Sequence, residues 1–114
     1  MFEIKGNVIK ITKGDAAVLD IALTDETGQP YEMSSGDRLV ITVRLKPGSD
    51  ILLTTESSTN TLTLTPAMTR NLIVGPCCYD IELRKAGGQI YTVVGMDVYV
   101  GSNMIVLPEI TEAV

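Results

Sequence analysis

Apolar and polar residues alternate with a period of two along most of this chain. The runs are short and are broken by turn residues about every ten positions, the pattern of an antiparallel sandwich or barrel. Val8, Lys10 and Thr12 alternate with Ile9 and Ile11 in a first strand. Val18, Asp20, Ala22 and Thr24 then alternate with Leu19, Ile21 and Leu23, which assigns the latter three to the core. RLVITVRL, residues 38–45, sets Leu39, Ile41, Val43 and Leu45 on one face and Arg38, Val40, Thr42 and Arg44 on the other. ILLTTE and NTLTLT supply two more strands, and CCYDIELRK, residues 77–85, another. AGG at 86–88 turns the chain into QIYTVVGMDVYV, a long returning strand, and NMIVL is the last.

Turn chemistry supports these boundaries. In DETGQP, residues 25–30, Gly28 is free to take positive φ and Pro30 fixes the exit, so the segment reads as a hairpin loop. Pro47-Gly48 marks a second turn. TPAMTRNL breaks the strand rhythm: Thr65 as N-cap and Pro66 in the first helical position predict one helical turn near residues 66–71. The expectation is an all-β fold, an immunoglobulin-like antiparallel sandwich of seven or eight strands, in one domain over residues 1–114 with a core at about 8–107 and a short tail at 108–114.

Composition agrees with a folded domain. Of the 114 residues, 45% are hydrophobic and 20% charged, well away from the signature of disorder. A net charge of −5, with nine basic residues scattered singly, leaves no cationic stripe, so neither nucleic acid nor a membrane surface is expected as a partner. MFEIKGNVIKITKGD interrupts its apolar residues with Glu3, Lys5, Lys10 and Lys13, and no later run approaches the ~20 residues of a membrane span. A soluble product made in the cytoplasm is expected.

Candidate chemistry is sparse. The chain has no histidine, which removes Ser-His-Asp, Cys-His and His-metal constellations together. Its two cysteines are adjacent, so in a strand Cys77 and Cys78 point to opposite faces and cannot close a disulfide without distortion. Cys77 reads as core filler sharing a face with Tyr79, Ile81 and Leu83, while Cys78 falls on the more polar side with Asp80, Glu82 and Arg84. Tyr79 stands where a tyrosine corner would place its ring. Asp25-Glu26 lacks the alternating ligands of a calcium loop and reads as a solvated turn, with Asp25 capping local backbone. Asp15 and Asp37, each after a glycine, read as turn acids. No cofactor, no metal and no catalytic residue is assigned.

One surplus needs an owner. The late segments are apolar on both faces: Tyr91, Val93 and Tyr99 on one, Ile90, Val94, Met96, Val98 and Val100 on the other. Either another chain covers one face, or Gly95 shifts the register so that the strand changes faces there.

The run GDAAVLDIALTDETGQPYEMSSGDRLVITVR, with LTLTPAMTRNLIVGPCCYDIEL and GGQIYTVV after it, resembles the amino-terminal domain of phage baseplate upper proteins and related prophage tail structural proteins. The likeness spans about residues 8 to 100. It implies an Ig-like, non-enzymatic building block of a tail or baseplate, a virion component that works by protein–protein docking. The implied partners are other phage structural proteins or further copies in a homo-oligomer. Met96, Val98, Val100 and Met104 are the expected contact surface; Tyr79, Cys77, Gly28 and Pro30 are expected to be structural. A bacterial surface or secreted Ig-like module that binds carbohydrate or a host protein is the alternative.

Overall fold

The computed structural model describes residues 2–5 as backbone and residues 8–25, 27–94 and 102–110 in full. Among these lie nine strands and one short helix: β1 (Phe2–Lys5), β2 (Val8–Thr12), β3 (Ala17–Asp20), β4 (Arg38–Arg44), β5 (Ile51–Ser57), β6 (Thr61–Leu64), α1 (Pro66–Thr69), β7 (Gly75–Arg84), β8 (Ile90–Val94) and β9 (Met104–Leu107). The fold is all-β. β1, at the very start, is the strand that alternation did not reveal.

The strands form two sheets. The larger runs β1-β2-β9-β7-β4-β5, and β8 also pairs with β7; the smaller is β3 with β6. β7 is long enough to hold β4 along one edge while its other edge takes β9 at Gly75–Cys77 and β8 at Ile81–Arg84. Most pairs are antiparallel, but β2 and β9 run parallel, with Ile9 opposite Met104.

Period two explains the packing. Leu39, Ile41 and Val43 of β4, Cys77, Tyr79, Ile81 and Leu83 of β7, Ile9 and Ile11 of β2, and Met104 and Val106 of β9 meet Ala17, Leu19, Leu62 and Leu64 of the small sheet in one core. Ile41 and Leu62 are fully enclosed. Each large aliphatic side chain buried this way contributes about 1.5–3 kcal/mol relative to leaving it in water.

The helical turn forms as its cap predicts. Thr65 Oγ1 accepts from the Met68 N–H at 3.3 Å, and Pro66 occupies a position whose N–H would have no partner. Buried Thr69 then donates its hydroxyl to the Asp15 carbonyl at 2.8 Å, stitching the turn to the start of β3.

Several expectations are corrected. β3 ends at Asp20 rather than running to Thr24, because its partner β6 begins at Thr61; Asn60 ties off the Ile21 backbone instead, and Ile21 is only partly buried. Leu45 is 44% exposed, since β4 stops at Arg44 and Leu45 already belongs to the turn. Cys78 does share the polar side with Asp80, Glu82 and Arg84, but it is buried there, its thiol donating to the Arg44 carbonyl at 3.4 Å. Met104 is 0% exposed, held between β2 and β7, and is core rather than contact surface. Met96, Val98, Val100, Tyr99, Gly95 and Glu26 lie outside the described residues.

Candidate functional site: an open strand edge and its groove

β8 has the sequence Ile-Tyr-Thr-Val-Val, with no charge, no proline and no glycine. One edge pairs with β7; the other has no strand partner among the described residues. Natural sheets usually protect such an edge with lysine, proline or a twist, because its free N–H and C=O groups template further pairing. Here Ile90, Tyr91 and Val93 are all exposed.

A register shift shapes the strand. Ile81 pairs with Val94 and Glu82 with Thr92, so Val93 is the additional residue of a bulge. The shift occurs two positions before the glycine that the sequence suggested. Tyr91, opposite Leu83, and the bulged Val93 line a groove of ≈410 Å³. Leu23, Tyr31, Leu83 and Lys85 also line it, with Thr24, Asp25 and Thr27 at its rim.

The rim is rigid. Asp25 Oδ1 accepts from the Thr27 N–H at 2.9 Å, the Thr27 hydroxyl at 2.6 Å and the Gln29 N–H at 3.0 Å. The Thr27 hydroxyl and then the backbone donors hold its carboxyl below the usual carboxylate range. Gly28 takes φ 83°, a left-handed turn that glycine enters without strain, and Pro30 bridges back to Thr24. Asp25 therefore caps its own loop, as the turn chemistry predicts.

Behind the groove lies a cluster that alternation could not reveal. Lys85 Nζ donates to the Tyr31 hydroxyl at 2.8 Å, and that hydroxyl donates to Asp37 Oδ2 at 2.5 Å. The Asp37 carboxylate also accepts from the Ser34 N–H at 3.0 Å and the Ala86 N–H at 3.2 Å. Asp37 is only 2% exposed, yet it is covered by donors at the molecular surface rather than by apolar bulk. The Tyr31 hydroxyl, with help from the Ser34 amide, lowers its pKa from 3.8, and the Tyr31 contact raises that of Lys85. Gly36 fits tightly here, since a Cβ on it would stand 2.7 Å from the Ala86 methyl. The loop before β4 is thus locked to the β7–β8 turn.

A pH prediction follows. Asp37 is more acidic folded than unfolded, so its contribution to stability is present above about pH 4 and is lost as pH falls through its lowered folded pKa. Urea unfolding of wild type and Asp37→Asn should show a gap at neutral pH that narrows from pH 4 downward; a constant gap would contradict the lock.

The remaining titrating groups offer little reactivity. Burial, then the neighbouring Cys78, pushes the Cys77 thiol up to about 11, and burial pushes Tyr79 up to about 12. Cys78 is likewise raised by burial. At neutral pH both cysteines are protonated thiols, poor nucleophiles and poor metal ligands. Tyr79 is a buried core ring whose backbone N–H and C=O both bond the Asn103 side chain, at 2.8 Å each.

A second concavity, of ≈590 Å³, lies on the outer face of β4 and β7. Its charges answer one another: Arg84 reaches Glu82 at 3.0 Å, and Arg44 bonds the Ser49 carbonyl. Partial burial, then Glu82, raises the pKa of Asp80. Among the described residues, no three of His, Cys, Asp and Glu gather as a metal set, and no helix is long and apolar enough to cross a membrane. No family model, no curated protein and no solved structure matches the chain.

Proposed function

We propose that the protein is a non-enzymatic structural component of a phage or prophage tail or baseplate, an Ig-like module that docks onto other subunits. The observation that carries the docking reading is the uncharged, exposed edge of β8 beside an apolar groove. An incoming extended segment gains main-chain hydrogen bonds along such an edge and seats its side chains in the groove, the mode of β-strand addition. The Ig-like reading is supported by strand order: β3 and β6 stand where strands B and E would, and β4, β7 and the line of β8 and β9 where C, F and G would. The phage attribution is supported by the order and spacing of the LTDETGQP, LTPAMT and YDIEL segments.

Gene neighbourhood tests the attribution: terminase, portal and tail genes beside this one support it, and a cell-wall or metabolic operon overturns it. For docking, Tyr91→Lys with Val93→Lys should weaken capture of neighbouring tail proteins at least about tenfold, since interface-centre anchors each contribute more than about 1 kcal/mol. Binding at wild-type strength would sink the proposal for this edge.

A further inference from the structure

β3 and β4 are joined by residues 21–37, a connection that adds no strand to either sheet and exceeds the roughly 12–15 residues beyond which such connections are uncommon and usually functional. Its described residues form a strap over one flank of the core. Leu23 is buried, and Ile21, Tyr31 and Met33 pack partly against the core cluster, while most of the other side chains described there are exposed.

The strap is fastened at its two ends. At the start, the Ile21 N–H reaches the Asn60 carbonyl at 2.8 Å, and the Asn60 amide returns a bond to the Ile21 carbonyl at 3.1 Å. Its middle bonds only to itself: the Tyr31 N–H meets the Leu23 carbonyl at 2.9 Å, and the Asp37 N–H meets the Ser34 carbonyl at 3.0 Å. Beyond Ile21, and among the described residues, two hydrogen bonds cross from the strap to another element, Lys85 Nζ to the Tyr31 hydroxyl and the Ala86 N–H to Asp37 Oδ1. Both depend on one carboxylate, because the Tyr31 hydroxyl gives its proton to Asp37 Oδ2 and so turns a lone pair toward Lys85. A segment with shallow burial and few outward bonds belongs to the low-stability end of a fold and can open without the rest.

Asp37 faces the Tyr31 hydroxyl and the Ser34 N–H from the strap, and Lys85 and the Ala86 N–H from the β7–β8 turn; Tyr91 of β8 faces Lys85 in turn. Arg38, next in the chain, is turned to Glu56, and Glu32 is exposed. As a carboxylate, Asp37 accepts from all its donors at once. Once protonated it brings an O–H of its own against them, so at least one donor loses its acceptor and the attraction to Lys85 disappears.

We propose that residues 21–37 are an acid-released latch, opening as one unit away from the β7–β8 turn when Asp37 is protonated while both sheets stay intact. Asp37 is more acidic folded than unfolded, so the latch is fully fastened above the ordinary carboxylate value of 3.8 and lets go as pH falls through the lower folded value. Leu23, Thr24, Asp25, Thr27 and Tyr31 of the strap line the groove beside β8, so release also dismantles that groove. The latch does not rest on the docking reading, since it works whether or not anything occupies the groove.

Amide hydrogen exchange of the whole chain, followed residue by residue from neutral pH to well below 3.8 and corrected for intrinsic rates, tests it. Protection at Ser34 and Ala86 should fall about tenfold or more, the scale of one hydrogen bond to a charged group, while Ile41 and Ile81 in the core keep theirs. Asp37→Asn should show the low protection already at neutral pH. Tyr31→Phe, which keeps the ring but removes the hydroxyl that holds Lys85, should show part of it. Peroxide should oxidise Met33 faster once the strap is released and leave the enclosed Met104 unchanged. Asp25→Asn, at an acid engaged by its own loop, should leave the response of Ser34 and Ala86 in place. The wild-type titration and Tyr31→Phe decide even where Asp37→Asn does not fold. Protection at Ser34 and Ala86 that ignores pH, a loss at Ile41 and Ile81 in step with them, or a response abolished by Asp25→Asn overturns the inference. None of these outcomes bears on capture of other tail proteins by the β8 edge, which the double lysine variant tests separately.

Discussion

Replacing Met104 with lysine is expected to leave the chain unfolded at room temperature. Met104 is fully enclosed in β9, paired with Ile9 on one side and Cys77 on the other, in the middle of the larger sheet. Among the described residues the one buried carboxylate, Asp37, is already held by Tyr31, Ser34 and Ala86, so the ammonium would be buried without a carboxylate to pair with. An unpaired buried charge costs several kcal/mol, comparable with the about 5–15 kcal/mol that holds a whole domain together. Met104→Leu, which nearly conserves volume, should cost less than about 1.5 kcal/mol. Far-UV circular dichroism and urea titration of the pair decide the matter. A folded Met104→Lys would return Met104 to the surface, where the sequence pattern alone had put it.

Asn103→Ala should lower stability by about 2–4 kcal/mol, a large effect for so small a change. Among the described residues, β9 pairs with one edge of β7 up to Cys77 and β8 from Ile81, and Tyr79 lies between the two. There the Asn103 amide accepts from the Tyr79 N–H and donates to the Tyr79 carbonyl as a strand neighbour would. Both residues are buried, so alanine takes a hydrogen-bond partner from a buried donor and from a buried acceptor, at about 1–3 kcal/mol each. The check is the urea midpoint at unchanged slope. A loss under about 0.5 kcal/mol would mean that water replaces the amide without cost.

How much of this was legible in the sequence differs from residue to residue. Leu19, Leu39, Ile41, Val43, Ile81 and Leu83 were legible because a half-buried strand writes its inner face at every second position. Thr65-Pro66 and Gly28-Pro30 were legible because caps and turns depend on backbone chemistry a few residues wide. Met104 was misread because an apolar strand packed on both edges has the same composition as an apolar surface. Leu45 was misread because alternation does not say where a strand stops. Strand β1 does alternate, as Phe2-Glu3-Ile4-Lys5, but four residues are too short a run to mark a strand by themselves.

The docking edge was half legible. The apolar surplus of residues 90–94 stood out in the sequence, but its openness depends on which strands lie beside it, and pairing is a property of the whole chain. The Lys85–Tyr31–Asp37 lock was not legible, because its members come from separate loops and no short-range spacing links them. The one available sign was Gly36-Asp37 before a strand, which showed a turn acid without showing what it held.

The parallel pairing of Ile9 with Met104 has a consequence for biosynthesis. As the chain leaves the ribosome, β2 emerges well before its neighbour β9. Completion of the larger sheet therefore waits until β9 has been made, and the loop that must close runs from Ile9 to Met104. Until then Ile9 and Ile11 are exposed on a nascent chain, where a holding chaperone has its clearest reason to bind.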